Sequence, residues 1–140
     1  MAKIQSQSTT NPSSISQAAA VEALNGDQSF IKERSDAFKE RRDFIVTELN
    51  KIPGIECINP EGAFYVFPSC KGCFGKSHNK LGDIKTDTDF VSKLLESTGV
   101  AVVQGSAFGL DGFFRISYAT SMQNLEKAVK RISEFCSKLN

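Results

Sequence analysis

One arginine near the C-terminus has the surroundings expected of a binding residue. The stretch Gly112–Ala119 alternates large apolar residues with Arg, Ser and Ala, a period of two that predicts a strand with one apolar face. Arg115 lies on the opposite face among small side chains. A guanidinium binds a carboxylate through two parallel hydrogen bonds, so one hypothesis is an anion clamp. The alternative is a solvent-exposed arginine on the wet face of an antiparallel strand.

A second group of reactive residues follows a predicted strand. Cys70 and Cys73 form a Cys-x-x-Cys pair, and His78 comes soon after. Such residues can bind zinc or form a redox couple. A structural zinc site needs four ligands, and the other cysteines, Cys57 and Cys136, lie in a predicted strand and in the apolar stripe of a predicted helix. We therefore interpret the pair as incidental, predict no metal site, and expect His78 to be exposed.

Helical and strand patterns surround these residues along the whole chain. The predicted elements are an irregular polar segment (5–14), a short helix (14–24) ending in a left-handed stop at Asn25-Gly26, a long helix (29–50), strands at 55–58 and 63–67 joined by a turn, a surface loop (69–85), a helix (86–97), a central strand (100–103), a flexible loop (104–109), the arginine strand and a last helix (120–139). Helix caps are predicted at Ser14 with Gln17, at Thr86, and at Thr120 with Gln123. Together they predict an α+β two-layer sandwich, with three or four helices on one face of a four-stranded mixed or antiparallel sheet.

Composition narrows the possible partners. The chain has 140 residues and a formal net charge of +1, which gives no overall field to attract nucleic acid or an anionic membrane. No apolar run approaches membrane-spanning length, and the first residues do not resemble a signal peptide. We therefore expect a cytoplasmic protein with reduced cysteines, no nucleic-acid partner and no membrane association.

Four stretches, read together, resemble successive landmarks of the class I aminotransferases, which use pyridoxal 5'-phosphate (PLP). They are residues 5–12 (QSQSTTNP), 61–67 (EGAFYVF), 102–109 (VVQGSAFG) and 114–119 (FRISYA). The resemblance is nearest to bacterial-type aspartate aminotransferases and covers practically the whole chain. One departure is Gln104, where the family usually has proline.

The resemblance implies that this chain is the C-terminal portion of a fold-type I PLP enzyme. Residues 1–28 would be the segment that leaves the large domain, and residues 29–140 the small C-terminal domain with its long connecting helix. The family's Schiff-base lysine, pyridine-binding aspartate and phosphate-binding helix are not matched. The expectation is therefore a transaminase of the aspartate:2-oxoglutarate type in full-length form, homodimeric and completed by the missing N-terminal large domain. PLP would bind only that form, so the isolated chain, without catalytic or cofactor-binding residues, would be inactive.

The resemblance also implies roles for individual residues. Arg115 would bind the α-carboxylate of the amino acid or 2-oxo acid substrate, and in this chain alone it should be exposed. Positions near the cleft or the dimer interface would be Ser8, Asn11, Phe64, Tyr65 and Ser106. The preferred amino acid is not determined by these residues. The alternatives are a stand-alone interaction domain or decayed fragment, and a zinc or redox module built on Cys70 and Cys73.

Overall fold

A computed structural model describes residues 1–140 and contains five α-helices, five short strands and two 3-10 helices. The helices are α1 (Ala2–Ser8), α2 (Ser14–Asn25), α3 (Ser29–Leu49), α4 (Asp87–Thr98) and α5 (Met122–Cys136); the strands are β1 (Tyr65–Val66), β2 (Ser77–His78), β3 (Gly82–Asp83), β4 (Val103–Gln104) and β5 (Phe114–Ser117); the 3-10 helices are Lys71–Cys73 and Gly105–Phe108. The chain forms two compact units, Met1–Arg34 and Ser35–Asn140. None of the helices combines the length and apolar character needed to cross a membrane. The predicted boundary at residue 28 stays a prediction.

The main sheet of the second unit has three antiparallel strands in the order β1-β5-β4. Tyr65 pairs with Ser117 on one side of β5, and Val103 pairs with Arg115 on the other. Phe114 is fully buried, whereas Arg115 is half-buried on the opposite face. The predicted alternation is therefore confirmed, and so is the α+β class.

The helices of the second unit cover the apolar face of this sheet. In α5 the buried residues recur at three- and four-residue spacing, which is the pattern of an amphipathic helix; they are Leu125, Val129, Ile132, Phe135 and Cys136. They pack in one core with α4 residues such as Phe90 and Leu94. Helix α4 begins with the predicted cap at Thr86, which forms a reciprocal capping box with Asp89.

Two strand predictions differ from the structure. The apolar run 100–103 was expected to be a central strand. It contributes only to β4, which lies at the edge of the sheet, and the central strand is β5. The fourth strand, expected at 55–58, is reduced to a single bridge between Glu56 and Ser69. The side-chain amide of Asn50 bonds both the N–H and the C=O of Cys57 at 2.8 Å and so takes the place of a neighbouring strand.

The expected surface loop at 69–85 is instead a folded segment. It holds one of the 3-10 helices and the β2–β3 hairpin, and Cys70, Cys73 and His78 are buried. The expectation that His78 is exposed was therefore wrong. Its ring stacks on Phe135 at 5.5 Å, and the C-terminal residue Asn140 exchanges two backbone hydrogen bonds with Ser77.

The first unit also differs from expectation. Helix α1 (Ala2–Ser8) includes the first part of the segment 5–14 that was predicted to be irregular, and neither α1 nor α2 buries a side chain. The cap of α2 is Ser13 rather than Ser14, and Gln17 bonds the carbonyl of Pro12 instead of completing a capping box. Helix α2 does end at Gly26 as predicted, but in an extended conformation (φ −77°) rather than a left-handed one.

One helix cap in the second unit was misplaced by a residue. The N-cap of α5 is Ser121 rather than Thr120, and its hydroxyl accepts a hydrogen bond from the backbone N–H of Asn124. Capping predictions carry this uncertainty, because Ser and Thr side chains cap helices by the same hydrogen bond.

Candidate carboxylate-binding site

Arg115 lies on the open face of β5 between two aromatic rings. Its guanidinium carbon is 4.5 Å from the centroid of Tyr65 and 4.5 Å from that of Phe108. Both distances are within the range of cation–π contact. Arg115 is thus half-buried by the two rings and not fully exposed as expected from the sequence.

The guanidinium of Arg115 has no polar partner within the chain. The ion pairs of the chain involve other residues, and the Arg115 side chain forms no hydrogen bond. Five N–H donors are therefore available in a planar fork. Because aromatic rings pack against the guanidinium and offer no acceptor of comparable strength, a planar anion such as a carboxylate is the ligand that this group suits best.

Tyr65 is held in place by a strained turn at the start of β1. Ala63 has a positive φ of 60°, a conformation that costs a non-glycine residue energy. The buried hydroxyl of Tyr118 donates a 2.8 Å hydrogen bond to the carbonyl oxygen of Ala63. Burial raises the pKa of Tyr118, so its hydroxyl keeps its proton and remains a donor at neutral pH. The ring of Phe64 then packs 4.4 Å from that of Tyr65.

Phe108 is placed by the 3-10 helix Gly105–Phe108, where the sequence predicted a flexible loop. Gly105 donates to the carbonyl of Phe113 at 2.7 Å and accepts from the amide of Leu110 at 3.0 Å. A side chain at Gly105 would overlap the carbonyl oxygen of Leu110, so glycine is required there. The backbone amide of Ser106 donates to the buried carboxylate of Asp87 at 2.7 Å.

Sequence reasoning missed two residues of this site. Phe108 was part of a recognised stretch but was not singled out, although an aromatic residue after a Gly-Ser-Ala turn could have been noticed. In the sequence, Asp87 resembles an ordinary acidic residue in the first turn of a helix. Its connection to the site is visible only from its burial and from its hydrogen bond with the Ser106 amide.

The predicted site residues fall into two groups. The structure brings together Arg115, Tyr65 and Phe64, and places Ser106 in the turn that carries Phe108. Ser8 ends α1 and Asn11 follows it, and both are exposed in the first unit. Their predicted position near a dimer interface stays a prediction.

The cysteines lie in the core, away from the open face of β5. All four are free thiols and buried. Burial raises the pKa of Cys57 to about 11 and that of Cys70 to about 12. A hydrogen bond between the thiols of Cys73 and Cys136 lowers the pKa of Cys73 and raises that of Cys136. The raised pKa values keep the thiols of Cys57, Cys70 and Cys136 protonated at neutral pH, which makes them poor nucleophiles. No group of three or more His, Cys, Asp or Glu side chains is arranged to hold a metal ion.

The residues of this chain do not by themselves fit PLP. A lysine that forms a Schiff base is activated by burial or by a neighbouring cation, and every lysine here is exposed or only half-buried. The N-terminus of α4, a possible phosphate-binding position, carries Asp87 and Asp89, whose charges would repel a phosphate.

The structure is thus an α+β domain whose central strand carries, on its open face, an arginine without a polar partner. Comparison with known proteins then identifies its family. The family profile described as aminotransferase class I and II matches residues 1–132. The chain is 57% identical over 140 residues to aspartate aminotransferase of Rhizobium meliloti strain 1021, covering 34% of that protein. It is 52% identical over 139 residues to a probable aspartate/prephenate aminotransferase of Rickettsia prowazekii, covering 35% of it.

Solved structures agree with the sequence comparisons. The crystal structure of the Rhizobium meliloti aspartate aminotransferase matches 99% of this chain with a TM-score of 0.91 and 57% identity, over 35% of the solved chain. A Thermus thermophilus aspartate aminotransferase matches 96% with a TM-score of 0.78 and 34% identity, over 34% of that chain. The chain belongs to the class I and II aminotransferase family, whose members are PLP-dependent. It spans about a third of the length of the relatives it matches.

Proposed function

We propose that this chain is the substrate-carboxylate-binding part of a PLP-dependent aspartate aminotransferase. The observation that carries the proposal is the unpaired Arg115 guanidinium between Tyr65 and Phe108. Support comes from relatives named aspartate aminotransferase, which share more than half of their residues with this chain over the matched region. The reaction would move an amino group from aspartate to 2-oxoglutarate.

Arg115 would bind the α-carboxylate that every amino acid and 2-oxo acid substrate carries. Two parallel N–H···O bonds fix both the position and the plane of the carboxylate, which orients the α-carbon for reaction. A hydrogen bond to a charged group contributes about 1.5–3 kcal/mol. This binding would therefore account for roughly a 10- to 100-fold gain in substrate capture.

The cofactor and the remaining partners would lie outside these residues. PLP, bound by the rest of the enzyme, supplies an electron sink for chemistry at the α-carbon. The chain would function together with an N-terminal large domain in a homodimer, with Ser8 and Asn11 near the dimer interface. Alone it would not transaminate.

Four free thiols support a reducing compartment, and we propose the cytoplasm.

A chimeric enzyme tests the proposed role of Arg115. In it, residues 1–140 replace the matching third of the Rhizobium meliloti aspartate aminotransferase. We expect the chimera to transaminate aspartate with 2-oxoglutarate and the 140-residue chain alone to be inactive. Arg115→Lys should raise the KM for aspartate roughly 10- to 100-fold, because an ammonium group cannot reproduce the bidentate geometry. PLP content per subunit, measured by absorbance, should stay unchanged.

The matched control is Arg131→Lys, because Arg131 is an exposed arginine of α5. It should leave both the KM and the PLP content unaltered. If Arg115→Lys leaves the KM at the parent value, Arg115 does not bind the substrate carboxylate and the proposal fails.

A further inference from the structure

Asp87 is a buried carboxylate without a cationic partner. It is one of two buried polar residues in the chain, with 3% of its surface exposed, and none of the chain's ion pairs includes it. An unpaired buried charge is costly unless hydrogen bonds satisfy it. One of its oxygens accepts from the Thr88 amide at 3.0 Å, and the other accepts from the Ser106 amide at 2.7 Å.

The bond to Ser106 joins α4 to the 3-10 helix Gly105–Phe108. The first N–H groups of any helix lack partners within that helix, and Asp87 supplies one for Ser106 from 19 residues earlier in the chain. Charge-assisted hydrogen bonds of this length are strong and directional. This carboxylate therefore links the 3-10 helix to the start of α4.

Phe108 extends the connection to the binding arginine. It lies two residues after Ser106, and its ring centroid is 4.5 Å from the guanidinium carbon of Arg115. The ring centroids of Phe108 and Phe67 are also 5.7 Å apart, in an edge-to-face arrangement. A shift of the 3-10 helix would move Phe108 away from the guanidinium and leave Arg115 with Tyr65 on one side only.

The geometry points to Asp87 as a positioning residue of the carboxylate site. It acts through Ser106 and Phe108 to hold the Arg115 guanidinium in the plane that a substrate carboxylate must meet. This inference rests on the proposed function for its catalytic consequence, but the structural link itself can be tested without any substrate.

Asp89 provides a matched control for this role. Like Asp87 it is an acidic residue in the first turn of α4, so replacing either one removes a favourable charge from the same helix end. The Asp89 carboxylate accepts from the amides of Lys85 and Thr86 and makes no bond to the 3-10 helix. A general effect on α4 would appear in both variants, whereas an effect on the site would appear only at Asp87.

The first experiment uses the 140-residue chain and nuclear magnetic resonance. In Asp87→Asn we expect the Ser106 amide and the Arg115 side-chain Nε–H resonances to shift, because the 3-10 helix and the ring of Phe108 move. In Asp89→Asn both resonances should stay in place. An unmoved Arg115 resonance in Asp87→Asn, or an equal shift in Asp89→Asn, would overturn the inference. If Asp87→Asn does not give a folded chain by circular dichroism, Asp87→Ser replaces it, since serine is uncharged and suits a helix start.

The second experiment measures kinetics in the chimera. Asp87→Asn should raise the KM for aspartate roughly 3- to 10-fold, the scale of one lost cation–π contact, with kcat within about twofold because the residue positions a binding group. In a Phe108→Leu background the same substitution should add little, since both changes remove the same contact. Fully additive effects, or an unchanged KM, would exclude the positioning role. The resonance experiment stays interpretable if the chimera shows that Arg115 does not bind substrate.

Discussion

At the level of single residues, Arg115 combines properties that a surface arginine seldom has together. Its guanidinium is held between two rings, has no polar partner and lies on the open face of a central strand. Holding the side chain before a ligand arrives reduces the entropy lost on binding. These properties favour the clamp over a merely solvated residue.

Cys57 gives a prediction of pH dependence at the same scale. Burial raises its pKa from 9.0 to about 11. In the unfolded chain the thiol ionises near pH 9, whereas in the folded chain it stays neutral until near pH 11. The thiol therefore makes its full contribution to the free energy of unfolding below pH 9. As the pH rises from 9 to 11, this free energy falls by on the order of 1–2 kcal/mol.

Urea unfolding at pH 8 and pH 10.5 measures this effect. The free energy of unfolding should fall more between these pH values for the parent chain than for Cys57→Ala, which has no thiol to ionise at that position. Equal falls in the two proteins would show that the folded and unfolded states bind the Cys57 proton alike.

Prediction from the sequence was strongest for residues whose environment is set by near neighbours. The alternation around Arg115 placed it correctly on the polar face, because strand periodicity depends only on adjacent residues. Its burial between rings was not predicted, because Tyr65 and Phe108 come from other parts of the chain. His78 was misjudged for the same reason, since its stacking partner Phe135 is far along the sequence.

At the level of elements, the 3-10 helix Gly105–Phe108 matters most to the site. Gly105 packs directly against backbone: a Cβ there would overlap the carbonyl oxygen of Leu110 and lie 2.8 Å from that of Phe113. Gly105→Ala should therefore lower the free energy of unfolding by about 1–3 kcal/mol, the cost of overpacking. Urea unfolding measures the change.

Gly62→Ala serves as the control for Gly105→Ala. An added Cβ at Gly62 meets no atom within 4 Å, so the substitution should change the stability by about 0.5 kcal/mol or less. A Gly105→Ala chain as stable as the parent would mean that the turn carrying Phe108 is not tightly packed.

Elements were predicted well where a strong periodic pattern and a cap coincide, as in α4. They were predicted poorly where a side chain or a distant segment replaces the regular partner. Asn50 takes the place of a strand beside Cys57, and the C-terminus at Asn140 pairs with Ser77 in a stretch whose composition resembles a loop. Neither arrangement leaves a local signal in the sequence.

At the level of the whole molecule, the two units differ in how much apolar surface they bury. Helix α2 buries no side chain and exposes Ile15 by 80% and Leu24 by 79%, whereas α5 buries five residues. Hydrogen exchange of the 140-residue chain should therefore be much faster in α2 than in α5. In the chimera we expect α2 to become protected, because the large domain would cover its apolar residues. Equal protection of α2 and α5 in the chain alone would contradict this view.

The central claim is that Arg115 binds the substrate α-carboxylate. The most direct measurement changes both the arginine and the α-carboxylate of the substrate. Single-turnover rates of the chimera are compared for aspartate and for isoasparagine, in which the α-carboxylate is an amide. We predict that the parent prefers aspartate by roughly 10- to 100-fold and that Arg115→Ala removes this preference. If Arg115→Ala keeps the full preference for aspartate, another residue binds the carboxylate and the claim is wrong.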